Sequence, residues 1–468
     1  MSPPPSTADS PLQTDVTGPR PAVPDEAGIR SGPREPGPAW VTTRALGRAV
    51  LLAGALLLVA VLAHRVDLVL LAAPFALGLG YGLRRRPVQL PRARLRYPDT
   101  LLAEGATVHI GLELDNPGTV PYDLVLVRVG ASRYLELDRL DRPVAVPLGA
   151  GTGAEVHWRG PVLRWGRVPV GPALVYAFAA DGLLRAREVP VPPVALRVAP
   201  YAGGFDADDT MPRAAGMVGA HHSRRPGEGG ELAGVRRFGA GDRLRRIDWR
   251  VSLRTRELHV AATLSDRDAE VVLLLDVLLE AGESGGVHGA ASVLDTTTRA
   301  AAAIAEHYLR RGDRVALAEY GFRARRLRAA AGRRHHLAVL EWLLDTAAYE
   351  VVAEPSRYLF GAHLFPPHAL VVVLTPLIDP SSARMLAGLA RAGRYVVAID
   401  TYPAGYQPPG SSPWGDLAAR IWRVDRENTV DLLREHGVPV VAWRGQGSLD
   451  LVLRQVSRLA VAPRMVSR

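Results

Sequence analysis

Two apolar runs stand back to back near the N-terminus, and they constrain this chain more than anything else in it. Leu46 to Ala63 reads LGRAVLLAGALLLVAVLA and Val66 to Leu83 reads VDLVLLAAPFALGLGYGL, with only His64-Arg65 between them. Each is about 18 residues, the lower limit for crossing a hydrocarbon layer as a helix. So short a connection makes the two segments antiparallel neighbours, and a transmembrane helical hairpin is expected. Pro74 is tolerated in such a helix because neighbouring groups re-satisfy the freed carbonyl. A cleaved signal peptide fits poorly, because the first run starts too far in and a second follows at once. Arg44 and Arg48 precede the hairpin and Arg84, Arg85 and Arg86 follow it. Positive charge at both ends places both in the cytoplasm. Arg65 in the turn is balanced by Asp67. The expectation is a multi-pass protein of the cell membrane with cytoplasmic soluble domains. Gly78, Gly80 and Gly82 are expected to let helices pack closely.

The remaining chain divides by pattern. Residues 1–42 are rich in Pro, Gly, Ser and charge and read as a disordered tail, ahead of the hairpin at 43–86. Residues 90–200 alternate apolar and polar positions (HIGLELDNPG, YDLVLVRVG, VPPVALRVAP) between turn signals such as Asn116-Pro117-Gly118. That period predicts antiparallel strands in a small β-sandwich. Trp158 and Trp165 are expected to be packing residues there. Residues 201–267 read as a linker, and 268–462 alternate apolar strands with amphipathic helices. The strand candidates are AEVVLLLD, DRVALAEYG, HALVVVLTP, RYVVAID and VPVVAW. Such alternation predicts a parallel sheet covered on both faces, with functional groups at its carboxyl edge. Asp276, Thr375 and Asp400 fall there.

Composition removes several chemistries. The chain has no Cys, so thiolate metal sites and Cys nucleophiles are excluded. It has no Lys either, so all 57 basic residues are Arg. A phosphate-binding Walker loop, Schiff-base catalysis and kinase chemistry all need a Lys. The net charge of +10 would suit nucleic acid, but no recognition motif accompanies it, and no nucleic-acid role is expected.

The linker carries the most distinctive stretch, Gly230 to Val260. Asp248-Trp249 sits among Arg243, Arg245, Arg246, Arg250, Arg254 and Arg256, after the turn Gly239 to Asp242. From Arg224 to Arg256 there are ten Arg against four acids, a local excess of six. Arg pairs bidentately with Asp and stacks on Trp. Three roles suit such a stretch: an ion-pair joint between domains, a docking face for an acidic partner, and contact with anionic lipid. The candidate residues are Arg236, Arg237, Asp242, Arg246, Asp248, Trp249 and Arg254.

This stretch resembles the signature of the bacterial family called domain of unknown function 58 (DUF58). The resemblance rests on Val235, Arg236, Phe238, Gly241, Asp242, Arg246, Ile247, Asp248, Trp249, Ser252, Arg254, Leu258 and Val260, with weaker echoes at Asp181 to Arg185 and Arg197 to Tyr201. It implies a von Willebrand factor A-like (Rossmann-like) last domain. It also implies a MoxR-type AAA+ ATPase as partner in complex assembly or envelope maintenance. No enzymatic activity is expected. Such domains often hold a divalent ion on Asp-x-Ser-x-Ser, a Thr and a further Asp. Here the first motif is Asp276-Val277-Leu278-Leu279-Glu280 and the later one Leu374-Thr375-Pro376. The adhesion site is therefore expected to be degenerate, with Asp276, Thr375 and at most Glu280 or Asp379 as oxygen donors, and no cofactor is expected.

Two alternatives remain. One is a metal-dependent binding module using a remodelled site at Asp276. The other is a cryptic serine hydrolase at Ser284, since Gly282-Glu283-Ser284-Gly285-Gly286 has elbow spacing. That elbow must follow its strand directly, and here several residues intervene after Asp276. The pairs His221-His222 and His335-His336 lack a carboxylate at metal spacing, and His335-His336 is expected to open a surface helix.

Overall fold

A computed structural model describes residues 39–140, 142–201, 226–239, 247–264, 270–323, 325–348, 365–366, 369–403, 406 and 414–443. The chain begins with a short strand, β1 (Trp40–Thr42), and two helices, α1 (Arg44–Leu62) and α2 (Val66–Arg84). Both helices are long and apolar enough to cross a membrane, and only 11% of each is buried. His64 turns the chain between them at φ 51°, and Arg65 pairs with Asp67 at 2.7 Å. Their contact is lined by Ala53, Ala60 and Ala72, which are buried. Gly78 and Gly80 do not serve this packing, contrary to expectation: a Cβ on either would meet nothing within 4 Å. Gly82 instead packs on Leu183 and Ala180 of the domain below.

That domain follows as β2 (Arg92–Arg96), β3 (Leu102–Ala103), β4 (Thr107–Asp115), β5 (Tyr122–Ala131), β6 (Val144–Leu148), β7 (Gly153–Pro161), β8 (Gly166–Ala179), β9 (Leu184–Ala186), β10 (Val189–Val191) and β11 (Val194–Ala199). One sheet has eight strands built around β8, and β2-β4-β7 form a second, antiparallel one. The alternation seen in sequence puts Val108, Ile110, Leu112 and Leu114 of β4 into the same core as Val168, Val170, Val175 and Ala177 of β8. Trp158 belongs to this core, as expected.

Trp40 belongs to it as well, so the end of the presumptive tail is part of the fold. β1 pairs antiparallel with β9. The Trp40 indole is 2% exposed, packs on Tyr122 at 5.4 Å and donates to the Gln89 carbonyl at 2.9 Å. Arg86 at the far end of α2 donates to the Trp40 carbonyl, and Thr43 bonds the carbonyls of Gly182 and Leu183. Both ends of the helix pair are thus fastened to one edge of the β domain.

Within the 201–267 segment, β12 (Pro226–Arg237) and β13 (His259–Leu264) form an antiparallel pair bridged by α3 (Trp249–Thr255). The last domain runs β14 (Glu270–Asp276), α4 (Val293–Arg310), β15 (Arg314–Tyr320), β16 (Arg326–Ala330), α5 (Arg333–Leu343), β17 (Leu370–Thr375), α6 (Pro380–Arg391), β18 (Tyr395–Asp400), α7 (Gly415–Glu435) and β19 (Val440–Ala442). The sheet order is β16-β15-β14-β17-β18-β19, parallel throughout except for the edge strand β16. All five expected strands are present because each is an apolar run buried on both faces. One core lies under α4 and α5, the other under α6 and α7. The end of the region expected to alternate strands and helices, residues 444–462, lies outside the described residues.

Removing the Trp40 side chain should loosen the hold on the helix pair along with the core. Trp40→Ala is expected to cost the β domain about 3–5 kcal/mol. Thermal unfolding in detergent measures this, and faster tryptic cleavage at Arg44 and Arg85 should accompany it.

Candidate functional site

The carboxyl edge of the parallel sheet gathers Asp276, Thr375 and a residue that sequence reasoning missed, Ser382. Asp276 ends β14 and is 1% exposed. Its Oδ2 accepts from Thr375 Oγ1 at 2.6 Å and from Ser382 Oγ at 2.5 Å, and its Oδ1 accepts from the Leu278 amide. Ser382 arrives from the first turn of α6, which Asp379 caps by accepting from the Ser381 amide. The turn between Thr375 and that cap requires Leu377 at φ 51°, and the Leu377 amide donates to Thr375 Oγ1. Burial pushes the Asp276 carboxyl above its ordinary range, while the two hydroxyls and the Leu278 amide pull it back.

This donor set does not suit a divalent ion. The Asp276 oxygens already accept three hydrogen bonds, and the neighbouring Asp379 carboxylate is engaged in capping α6, which leaves few of the oxygens that octahedral coordination needs. Glu280 is turned to the start of α4, where it accepts from the Leu294 amide. Asp400 is held by Arg426, which also donates to the Pro376 carbonyl and lies over the Tyr402 ring. Among the described residues, no group of three His, Asp or Glu is arranged to hold a metal.

A second constellation lies where the β domain meets the α/β domain. Trp165 leaves the β domain and enters the core beneath α4, so its packing role is shared between domains. Its indole donates to Asp295 Oδ1 at 2.9 Å, and Arg164 Nε donates to the same oxygen at 3.0 Å. Asp295 also closes the capping box of α4 with Ser292. Burial alone pushes the Asp295 carboxyl up, but the Ser284 hydroxyl, Arg164 and the Ser292 amide together hold it below its ordinary value. Two further ion pairs cross the joint. Arg299 of α4 grips Glu104 with bonds of 3.0 and 2.6 Å, and Arg167 of β8 pairs with Asp345 at 2.6 Å. Asp345 in turn follows α5, whose Trp342 carbonyl accepts from Arg325.

The cleft beside this joint has a volume of about 430 Å³ and is lined by Arg133, Tyr134, Arg164, Glu280 and Ser284, among others. Ser284 is therefore on a polar wall and not on an elbow. The acid beside it, Asp295, is already held by Arg164 and Trp165 and binds protons weakly, which makes it a poor general base.

The signature residues are engaged locally where they are described. Arg237 pairs with Glu257 at 2.9 Å, and Asp248 caps α3 by accepting from the Arg250 and Val251 amides. Arg236 donates to the Arg237 carbonyl. Trp249 is 61% and Leu253 79% exposed on α3, beside Arg250 and Arg254. Asp242 and Arg246 lie outside the described residues, as do His221 and His222. His335 does open a helix, but it is buried and bonded to the Val315 carbonyl. Its expected surface position is corrected by the way α5 folds back on β15.

Two pH-dependent outcomes follow. The fold disfavours charged Asp276, so its stabilising contribution is present at low pH and lost as pH rises through its elevated pKa. Thr375→Val removes a donor to the charged form and should cost about 1–3 kcal/mol, more at pH 8 than at pH 5, by thermal unfolding. Glu319, buried on β15, is pushed up to about 7 by burial, against the pull of Arg325. The wild type should lose stability between about pH 4.5 and 7, and Glu319→Gln should flatten that loss by at most roughly 3 kcal/mol.

Comparison with known proteins adds one family. Residues 234–402 match the model of the family described as "Protein of unknown function DUF58". Uncharacterized proteins Rv1480 of Mycobacterium tuberculosis and Mb1516 of Mycobacterium bovis are each 34% identical over 125 residues, 26% of this chain and 38% of theirs. The chain thus spans well under two thirds of those relatives. Among solved structures, native alpha-2-macroglobulin from Escherichia coli is 23% identical over 24% of this chain and 17% of its own, with a TM-score of 0.20. The complex of zinc 2-glycoprotein and prolactin inducible protein from human seminal plasma is 11% identical, over 24% of this chain and 96% of that one, with a TM-score of 0.18. Likenesses this slight carry no argument. What the comparisons give is a DUF58 domain from the second half of β12 to just beyond β18.

Proposed function

We propose that this chain is a non-enzymatic, membrane-anchored DUF58 scaffold that presents a von Willebrand factor A-like domain in the cytoplasm to a MoxR-type AAA+ ATPase. The sheet order, with its first strand central and one antiparallel edge strand, supports the von Willebrand factor A-like reading. The common core of the two β sheets supports the sandwich reading. The Arg residues flanking both ends of the hairpin support cytoplasmic placement.

One observation carries the scaffold reading. α3 exposes Trp249 and Leu253 one helical turn apart, beside Arg250 and Arg254. An exposed aromatic and aliphatic pair rimmed by Arg has the composition of an interface hot spot. Meanwhile, among the described residues of the sheet tip, Asp276, Thr375 and Ser382 are held in mutual hydrogen bonds.

Affinity capture of the tagged full chain from detergent-solubilised native membranes tests this. An AAA+ ATPase should be recovered, and the Trp249→Ala/Leu253→Ala double variant should lose at least about tenfold of it, as expected for hot-spot residues of about 1.4 kcal/mol or more. An unchanged melting temperature shows that the variant is folded. Recovery of no ATPase from wild-type membranes overturns the assignment.

A further inference from the structure

The outer face of α7 carries an apolar stripe that the fold leaves exposed. Leu417, Ile421, Val424 and Leu432 are 50, 63, 56 and 54% exposed. The opposite face is fixed to the domain. Trp422 stacks on Tyr402 at 5.3 Å, Arg426 grips Asp400, and Val430 and Leu433 are buried under the sheet. The stripe is therefore not a helix waiting to rotate inward.

Its spacing is that of a heptad seam. Ile421 and Asn428 take the a positions, and Leu417 and Val424 take the d positions. At 3.6 residues per turn, Arg420 lies along one flank of the seam and Asp425 along the other. These are the g and e positions, where opposite charges set partner and orientation. A β-branched residue at a, with Leu at a d position, favours two parallel strands, and a single Asn at a fixes their register. The groove along this face is lined by Arg420, Ile421, Val424, Asp425 and Asn428.

We propose that α7 is a self-association surface, pairing in parallel with α7 of a second copy of this chain. Ile421 then meets the partner's Ile421, Asn428 meets the partner's Asn428, and Arg420 meets the partner's Asp425, twice by symmetry. A bilayer surface is the poorer occupant. The helix carries four Arg against five acids, a net charge of −1, and anionic headgroups repel that balance. The seam from Leu417 to Asn428 is about 18 Å long at 1.5 Å per residue, with Leu432 one position off it. A contact of that size falls below the roughly 1,200 Å² of a stable interface. Confinement to one membrane raises the effective concentration enough to populate it, so the pairing rests on the anchoring proposed above.

The absence of Cys makes a direct test possible. The full chain carrying Asn428→Cys is reconstituted into liposomes and oxidised, with Arg423→Cys, on the far side of the helix, as control. Asn428→Cys should give a disulfide-linked dimer and Arg423→Cys should not. Adding Arg420→Asp should reduce the cross-link at least tenfold, as should Asp425→Arg. Mixing those two charge-reversed chains should restore it, because each then faces a complementary partner; this also shows that both are folded. No cross-link at Asn428, equal cross-linking at Arg423, indifference to charge reversal, or failure of the mixture each overturns the pairing. Flotation of the same liposomes reads anchoring separately. A chain that floats without cross-linking sinks the pairing alone. One that does not float sinks the anchoring, and oxidation at high concentration in detergent then decides the pairing.

Discussion

The Asp295 carboxylate closes the first turn of α4 and, from the same side chain, receives the indole of Trp165 and the guanidinium of Arg164. A buried charge of this kind is tolerable only because several donors surround it, and removing one partner of such a set costs about 3–5 kcal/mol. The β domain and the α/β domain are therefore joined by shared core and not by a flexible tether. Trp165 belongs by sequence to the β domain and by packing to the α/β domain. The buried Glu104–Arg299 pair and the more exposed Arg167–Asp345 pair cross the same joint.

The same logic holds at the other end of the β domain. Trp40, Thr43, Gly82 and Arg86 bind the apolar helix pair to the edge formed by β1 and β9. Orientation set at the helix pair is thereby passed through the β core to α4 and the parallel sheet. The proposed scaffold role needs this stiffness, because α3 and α7 could meet the proposed partners only if they are held at a defined place.

Much of the architecture was legible because it follows from short-range periodicity. Continuous apolar runs such as Leu370 to Thr375 give buried parallel strands, and alternation such as Thr107 to Asp115 gives half-buried antiparallel ones. β16 was not legible: Arg326 to Ala330 interleaves Arg with small residues, and only its pairing with β15 makes it a strand. The candidate site was read in part. Asp276 and Thr375 stood out as strand ends, but Ser382 lies in the first turn of α6, 106 residues from Asp276, and could be linked to it only in three dimensions.

Sequence alone determined the two long apolar helices, the five parallel strands of the last domain, and the exclusion of Lys and Cys chemistry. These depend on residue type and local period, which tertiary contacts do not alter. Tertiary structure alone decided that Trp165 and Arg164 would meet Asp295 across some 130 residues, and that the seam of α7 would face outward. Those outcomes depend on which surfaces the closed cores leave available. No local pattern carries that information, because an amphipathic helix reads the same in sequence whichever of its faces the rest of the molecule covers.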